Sequence, residues 1–337
     1  MTSIAGYDIG GAHLKVARVE DGRLTAVAQF PCPLWLGLDK LDEALAAARA
    51  LTAGADLHAV TMTGELCELF DSREQGVAAL TRHVFEKLSG RAQVFMGLKG
   101  FGDAAAAARD WASVASANFL ATARAISLRR QNTLLIDFGS TTTDIVVCDR
   151  PQGLTDAERL QTGELVYTGL TRTPVPSVTT RAPLLGTWQG LARDAFATMA
   201  DVRRVLGDLP EGAGADAPAD RQDISLIDSL RRVARGFGRD ADMRHLDGWK
   251  IAAAYVREAQ LCSIIEGVAQ VLSRPGVDVR GGVVAAGIGA DEVYEIARRL
   301  ALPCITFGEQ IDAPPELCLS ATRYAAAVAV ALLASGR

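Results

Sequence analysis

The feature that most constrains this chain is a glycine-rich acidic loop that occurs twice. It reads Asp8-Ile9-Gly10-Gly11-Ala12-His13-Leu14-Lys15 in the first copy and Asp137-Phe138-Gly139-Ser140-Thr141-Thr142-Thr143-Asp144 in the second. Each copy lies between two apolar, strand-like runs: Ile4 to Tyr7 and Leu14 to Val19 around the first, Thr133 to Ile136 and Ile145 to Cys148 around the second. Glycine lets a hairpin turn bring backbone N–H groups close to an anion, and the aspartate can hold a divalent cation against that anion. Two such loops in equivalent settings predict duplicated lobes that close on a phosphorylated ligand.

The chain has 337 residues, 49% of them hydrophobic, which is enough for two cores. A net charge of −5 with no basic stripe argues against a nucleic-acid partner. The N-terminal residues Met1 to Asp8 contain neither a basic segment nor a signal-peptide core, so a cytoplasmic location is expected. The longest apolar run, Ala325 to Ala334, is half the length a bilayer requires and is read as a buried helix, with no membrane partner. Six cysteines (32, 67, 148, 262, 304 and 318) show no metal or redox spacing and are expected as buried, reduced thiols. The four histidines are scattered, which argues against a zinc site.

Periodicity and turn chemistry predict three strands over the first thirty residues, with an Asp21-Gly22 turn before the third. Helices are expected at 38–52 and 73–88, and the alanine-rich stretch 103–130 is expected to be mainly helical; strands are expected at 59–63 and 92–96. Beyond the second loop, further sheet is expected near Thr162 to Gly169, then helices at 189–206, 225–237, 247–273, 291–300 and 320–335. The Gly- and Ala-rich run 211–220 is expected as a mobile surface loop. A third informative segment is the buried strand 281–286, which runs into the turn Gly287-Ile288-Gly289 and a following helix. Such a turn places a helix N-terminus at the sheet edge. The lobes are drawn as 1–130 with 320–337, carrying loop 1, and 131–319, carrying loop 2 and the Gly-x-Gly turn.

The two loops with Gly287-Ile288-Gly289 resemble the phosphate-one, phosphate-two and adenosine segments of the actin, Hsp70 and sugar-kinase superfamily. That resemblance implies an α/β fold of two ribonuclease-H-like lobes with a central cleft. The segments Thr61-Met62-Thr63-Gly64-Glu65-Leu66 and Tyr167-Thr168-Gly169-Leu170-Thr171-Arg172-Thr173-Pro174 are similar to the hydantoinase/oxoprolinase-related branch. Within it, the chain resembles a one-carbon-pathway group of methanogens and methylotrophs. The activity this implies is formation of the aryl ether of methanofuran or methylofuran. A furan diphosphate is joined to the phenol of tyrosine or γ-glutamyltyramine, and diphosphate leaves. The implied partners are thus small molecules; the oligomeric state stays open, a homodimer included.

Displacement of diphosphate needs cation, N–H donors and basic side chains. Asp8 and Asp137 are the candidates to hold Mg²⁺, with Asp144 a third that has the alternative of bracing its hairpin. Gly10, Gly11, Gly139, Ser140, Thr141 and Thr142 are candidate diphosphate donors, together with Gly287 and Gly289 at the turn. Lys15 is a candidate point charge, or else a solvated strand residue. His13 is a candidate phosphate contact or a structural loop histidine. Glu65 and Glu68 are candidate bases for the phenol, which ionises near pH 10. Asn118, Arg124 and the aromatic residues Tyr167 and Trp188 complete the list of candidates. ATP is the less favoured occupant, because Ala12-His13 replaces the hydroxyl residue usual in kinases and the Gly-x-Gly segment is short for an adenosine clamp. The rival readings are an ATP-dependent kinase or ring-opening enzyme, and a non-catalytic nucleotide-binding switch.

Overall fold

A computed structural model describes residues 2–88, 90–214 and 223–336. Three antiparallel strands come first: β1 (Ser3–Ile9), β2 (His13–Glu20) and β3 (Arg23–Pro31). The chain continues through α1 (Asp39–Ala47) and α2 (Arg49–Thr52) to β4 (Leu57–Met62), which pairs parallel with β1. Helix α3 (Arg73–Lys87) leads to β5 (Arg91–Phe95), parallel to β4, and β6 (Phe101–Gly102) closes the edge. The resulting order is β3-β2-β1-β4-β5-β6. Helices α4 (Ala104–Arg109) and α5 (Asn118–Ser127) follow. The stretch 103–130, expected to be mainly helical, is interrupted between them, where Ser116 adopts a positive φ of 51°.

The second sheet repeats the first plan. A hairpin of β7 (Leu134–Phe138) and β8 (Thr143–Val147) is joined on one side by β9 (Leu165–Val166), after α6 (Asp156–Thr162). The other side of β7 pairs parallel with β12 (Val283–Ala286), and β12 with β13 (Cys304–Thr306), giving the order β13-β12-β7-β8-β9. Helix α6 has no counterpart in the sequence expectation. It starts from a capping box in which Thr155 and Glu158 satisfy each other's backbone N–H groups.

Between β9 and β12 lie α7 (Val175–Val178), a hairpin of β10 (Arg181–Leu184) and β11 (Thr187–Gly190), and helices α8 (Met199–Leu206), α9 (Leu226–Gly236) and α10 (Leu246–Leu272). The helix expected over 189–206 is therefore half right. Its first two residues end strand β11, because Leu185 and Gly186 both take positive φ and close a two-residue hairpin turn that holds them in a strand, and 191–198 are irregular. A leucine in that position gives no turn signal. The loop expected over 211–220 lies outside the described residues from 215 onward.

Helix α11 (Ala290–Arg299) follows β12, and α12 (Phe307–Gln310) follows β13. The expected C-terminal helix is two helices, α13 (Pro315–Arg323) and α14 (Ala325–Ala334), bent by 104° at Tyr324. Helix α14, made only of Ala, Val and Leu, packs between the sheets with α5. Val328 and Ile126 there meet Ile4 and Ala17 of the first sheet and Leu135 and Val146 of the second. Gly6 makes this approach feasible, since a Cβ on it would sit 2.2 Å from the Ala327 carbonyl oxygen.

Strand β1 is buried throughout because its other face is covered too, with Tyr7 and Ile9 against Leu41 of α1 and Leu80 of α3. The outer face of the second sheet packs on α10 and α11 through Ile136, Ile145, Ile264 and Val293. A separate cluster of Leu184, Val202, Leu230 and Trp249 joins the β10–β11 hairpin to α8, α9 and α10. The whole is α/β, with two ribonuclease-H-like lobes and a cleft between them. Among the described residues no single helix is long and apolar enough to cross a membrane. Cys32, Cys67 and Cys148 are buried thiols as expected, whereas Cys262 is exposed and Cys304 and Cys318 are half-buried.

Candidate active site

Each hairpin folds its glycine loop by the same local rule. In loop 1 the Gly10 N–H donates to the His13 carbonyl at 3.0 Å; in loop 2 the Gly139 N–H donates to the Thr142 carbonyl at 3.0 Å. Register then fixes the neighbours. Asp8 stands opposite Lys15 across β1 and β2, and Asp137 stands opposite Asp144 across β7 and β8. Lys15 and Asp144 thus occupy the same place in the two hairpins with opposite charge. Both loops line a cavity of about 350 Å³ between the lobes, together with Asp8, Lys15, Asp137 and Asp144.

The floor of the cavity is electrostatically tense. Lys15 Nζ donates to Asp8 Oδ2 at 3.0 Å, while Asp8 Oδ1 is buried with no hydrogen-bond partner. Burial pulls the Lys15 ammonium toward its neutral form, but the charges and hydrogen bond of Asp8 and the charge of Asp137 outweigh it and hold its pKa above the ordinary value. Burial pushes the Asp137 carboxyl up to about 7, helped by Asp144 and Asp8 and opposed by Lys15. Burial also raises Asp144 above the usual carboxylate range, against the opposing charge and hydrogen bond of Arg159. Asp144 makes an ion pair with Arg159, which is itself buried and stacks 3.6 Å over the Phe119 ring. Of the two readings of Asp144, the geometry therefore includes the brace.

An unpartnered buried carboxylate oxygen beside a second carboxylate of raised pKa is the chemistry of a divalent-cation site. Asp8 and Asp137 are the residues that would hold one. Among the described residues no set of three or more His, Cys, Asp and Glu side chains is arranged to hold a metal alone. An ion here would take its other ligands from phosphate oxygens and water, as magnesium prefers.

Loop 2 is held from behind. Leu170 N–H donates to the Gly139 carbonyl and Arg172 N–H to the Ser140 carbonyl, both at 2.9 Å. A Cβ on Gly169 would lie 2.3 Å from the backbone of Ser140 and Thr141. Gln260 on α10 fixes that glycine by donating to the Gly169 carbonyl at 2.8 Å and to Thr168 Oγ1 at 2.9 Å. With the carbonyls engaged, the hydroxyls of Ser140, Thr141 and Thr142 remain on the cavity wall.

The late turn divides its roles. Gly287 lines the cavity with φ +83°, and a Cβ on it would meet Asp137 Oδ1 at 2.4 Å. Gly289 lies off the cavity, donating to the Phe138 carbonyl at 2.8 Å and packed on the Phe138 ring, where it caps α11. Among the other candidates, Gly10, Gly11, His13, Glu68, Asn118 and Tyr167 reach the wall.

Three do not. Glu65 is buried behind the wall, where Ser116 Oγ donates to its Oε1 at 2.8 Å, and burial pushes its carboxyl up to about 7. Arg124 is exposed on α5, away from the cavity. Trp188 packs edge-on against Tyr255, 5.2 Å between centroids, also away from it.

Sequence reasoning missed Arg159, Asp156, Ser116, Trp35, Arg172 and Tyr324, all on the wall. The Thr155-x-x-Glu158 capping signature was a usable signal for the helix carrying Asp156 and Arg159. Arg172 lies in the Tyr167–Pro174 segment that carried the family resemblance but was not singled out there, and Trp35, on the short 3-10 turn Leu34–Leu36, carried no signal.

A model of the hydantoinase/oxoprolinase family matches residues 56–328. A protein of Methanocaldococcus jannaschii named (4-{4-[2-(γ-L-glutamylamino)ethyl]phenoxymethyl}furan-2-yl)methanamine synthase is 30% identical over 226 residues, covering 63% of this chain and 67% of its own. A protein of the same name from Methanococcus vannielii is 30% identical over 166 residues, covering 48% and 72%. Among solved structures, the nucleotide-free form of an acetone carboxylase that carries out ATP-dependent carboxylation matches 85% of this chain and 65% of its own. Its TM-score is 0.52 at 11% identity, a likeness of fold.

Proposed function

The chain belongs to the hydantoinase/oxoprolinase family, and from that premise we propose that it is an enzyme of methanofuran- or methylofuran-type coenzyme synthesis. It joins an aminomethylfuran bearing a methylene diphosphate to the phenol of tyrosine or γ-glutamyltyramine and releases diphosphate. Two relatives that carry the name of such a synthase support the reading. The observation that carries it is the cavity floor, where two glycine loops, Lys15 and the Asp8–Asp137 pair converge below an aromatic mouth.

The new bond forms between the phenol oxygen and the furylmethyl carbon as the bond from that carbon to the diphosphate oxygen breaks. The bonding pair leaves on the diphosphate, and the phenol proton passes to Glu68, the carboxylate of the 64–68 loop that faces the cavity, and on to water. Lys15 and the donors of loops 1 and 2 bind the diphosphate and stabilise its developing charge. Asp8 and Asp137 would hold Mg²⁺, which supplies neutralisation of the leaving group. The walls hold the two substrates in line, which converts a bimolecular encounter into an effectively unimolecular step.

The test is mass spectrometry of products from purified protein, Mg²⁺, the furan diphosphate and either phenol, with and without ATP. Ether and diphosphate in the absence of ATP are expected. No ether under any condition, with ADP formed when ATP is added, would overturn the reading in favour of kinase-like chemistry.

A further inference from the structure

The upper wall of the cavity differs in kind from its floor. Trp35, Leu66 and Tyr167 all line it and are 45%, 49% and 62% exposed, so large apolar side chains stand in water on the cavity's own wall. Single exposed apolar residues are ordinary, but three on one concave surface mark a place where a ligand supplies the missing contact. Trp35 follows β3 in the first lobe and Arg172 follows β9 in the second, and the Arg172 guanidinium lies 5.8 Å from the centre of the Trp35 ring.

The cations of the cavity are otherwise engaged. Lys15 pairs with Asp8, Arg159 pairs with Asp144 and Asp156, and Arg323 donates to the Glu211 carbonyl at 2.9 Å. Arg172 pairs with no carboxylate among the described residues. Its backbone is nevertheless fixed, since its N–H is bonded to the Ser140 carbonyl. A guanidinium within cation–π reach of an aromatic ring keeps its planar fork of N–H groups free for a two-point contact with a carboxylate.

We propose that Trp35, Tyr167 and Arg172 form the acceptor subsite, in which the aromatic pair takes the phenol ring and Arg172 takes a carboxylate at the far end of the acceptor. This rests on the aryl-ether reading and narrows it: the acceptor is a phenol that carries a carboxylate, such as γ-glutamyltyramine or tyrosine, and not bare tyramine. Arg172 is here a specificity-determining residue. The diphosphate partner is held by the loops and does not depend on it.

The experiment is calorimetric titration of the full chain with two probes, γ-glutamyltyramine and the same compound with its α-carboxylate converted to a carboxamide. The wild-type protein is expected to prefer the carboxylate at least tenfold. Arg172→Met is expected to bind both probes equally, and Arg172→Lys to keep part of the preference. Trp35→Ala is expected to weaken both probes by a similar factor. A wild-type protein that binds neither probe, or that does not distinguish them, overturns the subsite. So does an Arg172→Met protein that keeps the preference. Ether formation is read separately: Arg172-dependent binding without any ether would uphold the subsite and remove the proposed reaction.

Discussion

Burial, more than any charged neighbour, sets the behaviour of Glu65. Its carboxyl is pushed up to about 7 by burial, against the opposing Ser116 hydrogen bond and Arg73 charge. A carboxyl whose folded pKa is raised binds more protons in the folded chain than in the unfolded one. Stability therefore falls as pH climbs from the ordinary value of 4.5 through about 7. Glu65→Gln keeps an acceptor for Ser116 and removes the charge. It is expected to be more stable than wild type at pH 8 by roughly 2 kcal/mol, with the gap closing by about pH 5. Urea unfolding at the two pH values checks this, and a gap independent of pH would rule out the ionisation. Asp137 gives a second, sharper case, because the same group serves the proposed chemistry. Asp137→Asn relieves a buried acid crowded by Asp144 and Asp8. A higher melting temperature at pH 8 is expected together with turnover lower by about 10²–10³. A variant that keeps full turnover would remove Asp137 from the site.

At the scale of elements, loop 2 owes its shape to what stands behind it. Gly169 touches the Ser140 and Thr141 backbone so closely that a methyl group there has nowhere to go. Gly169→Ala is expected to cost about 1–3 kcal/mol of stability and to lower turnover by more than tenfold, since backbone cannot yield as a flexible side chain can. Melting curves and a product assay check it, and wild-type turnover would show that the loop is not set from behind. The same contrast between local and distant causes explains what the sequence revealed. Asp8, Gly10, Asp137 and Gly139 were legible because a turn between two apolar strands is a local matter of spacing and glycine. Arg159, Trp35 and Arg172 were not, because each acquires its place from a contact made far along the chain. Nor was the break at Tyr324, since neither Gly nor Pro marks the point where α14 turns inward between two sheets.

Across the whole molecule, the two lobes are joined on one side of the cleft by a polar cluster. Arg73 on α3 pairs with Asp156 on α6, and Ser116 and Glu65 lie against the same pair. Such a contact ties the wall of one lobe to the capped helix of the other, and Arg159 on that helix continues the connection to Asp144. Combining Arg73→Ala with Asp156→Ala is expected to show a coupling of roughly 1–2 kcal/mol in unfolding measurements. Additive single effects would show that the lobes do not communicate by this route. The hairpins at the centre carry a different consequence. A true repeat would present a ligand with two identical halves, and a symmetric anion lying across it would have no head or tail. Here one half offers an ammonium and the other an acid at the same station, Lys15 against Asp144. The duplicated cradle therefore has a compass direction, and a diphosphate bound as proposed would have its carbon-linked phosphoryl group distinguished from its terminal one by a single inverted charge.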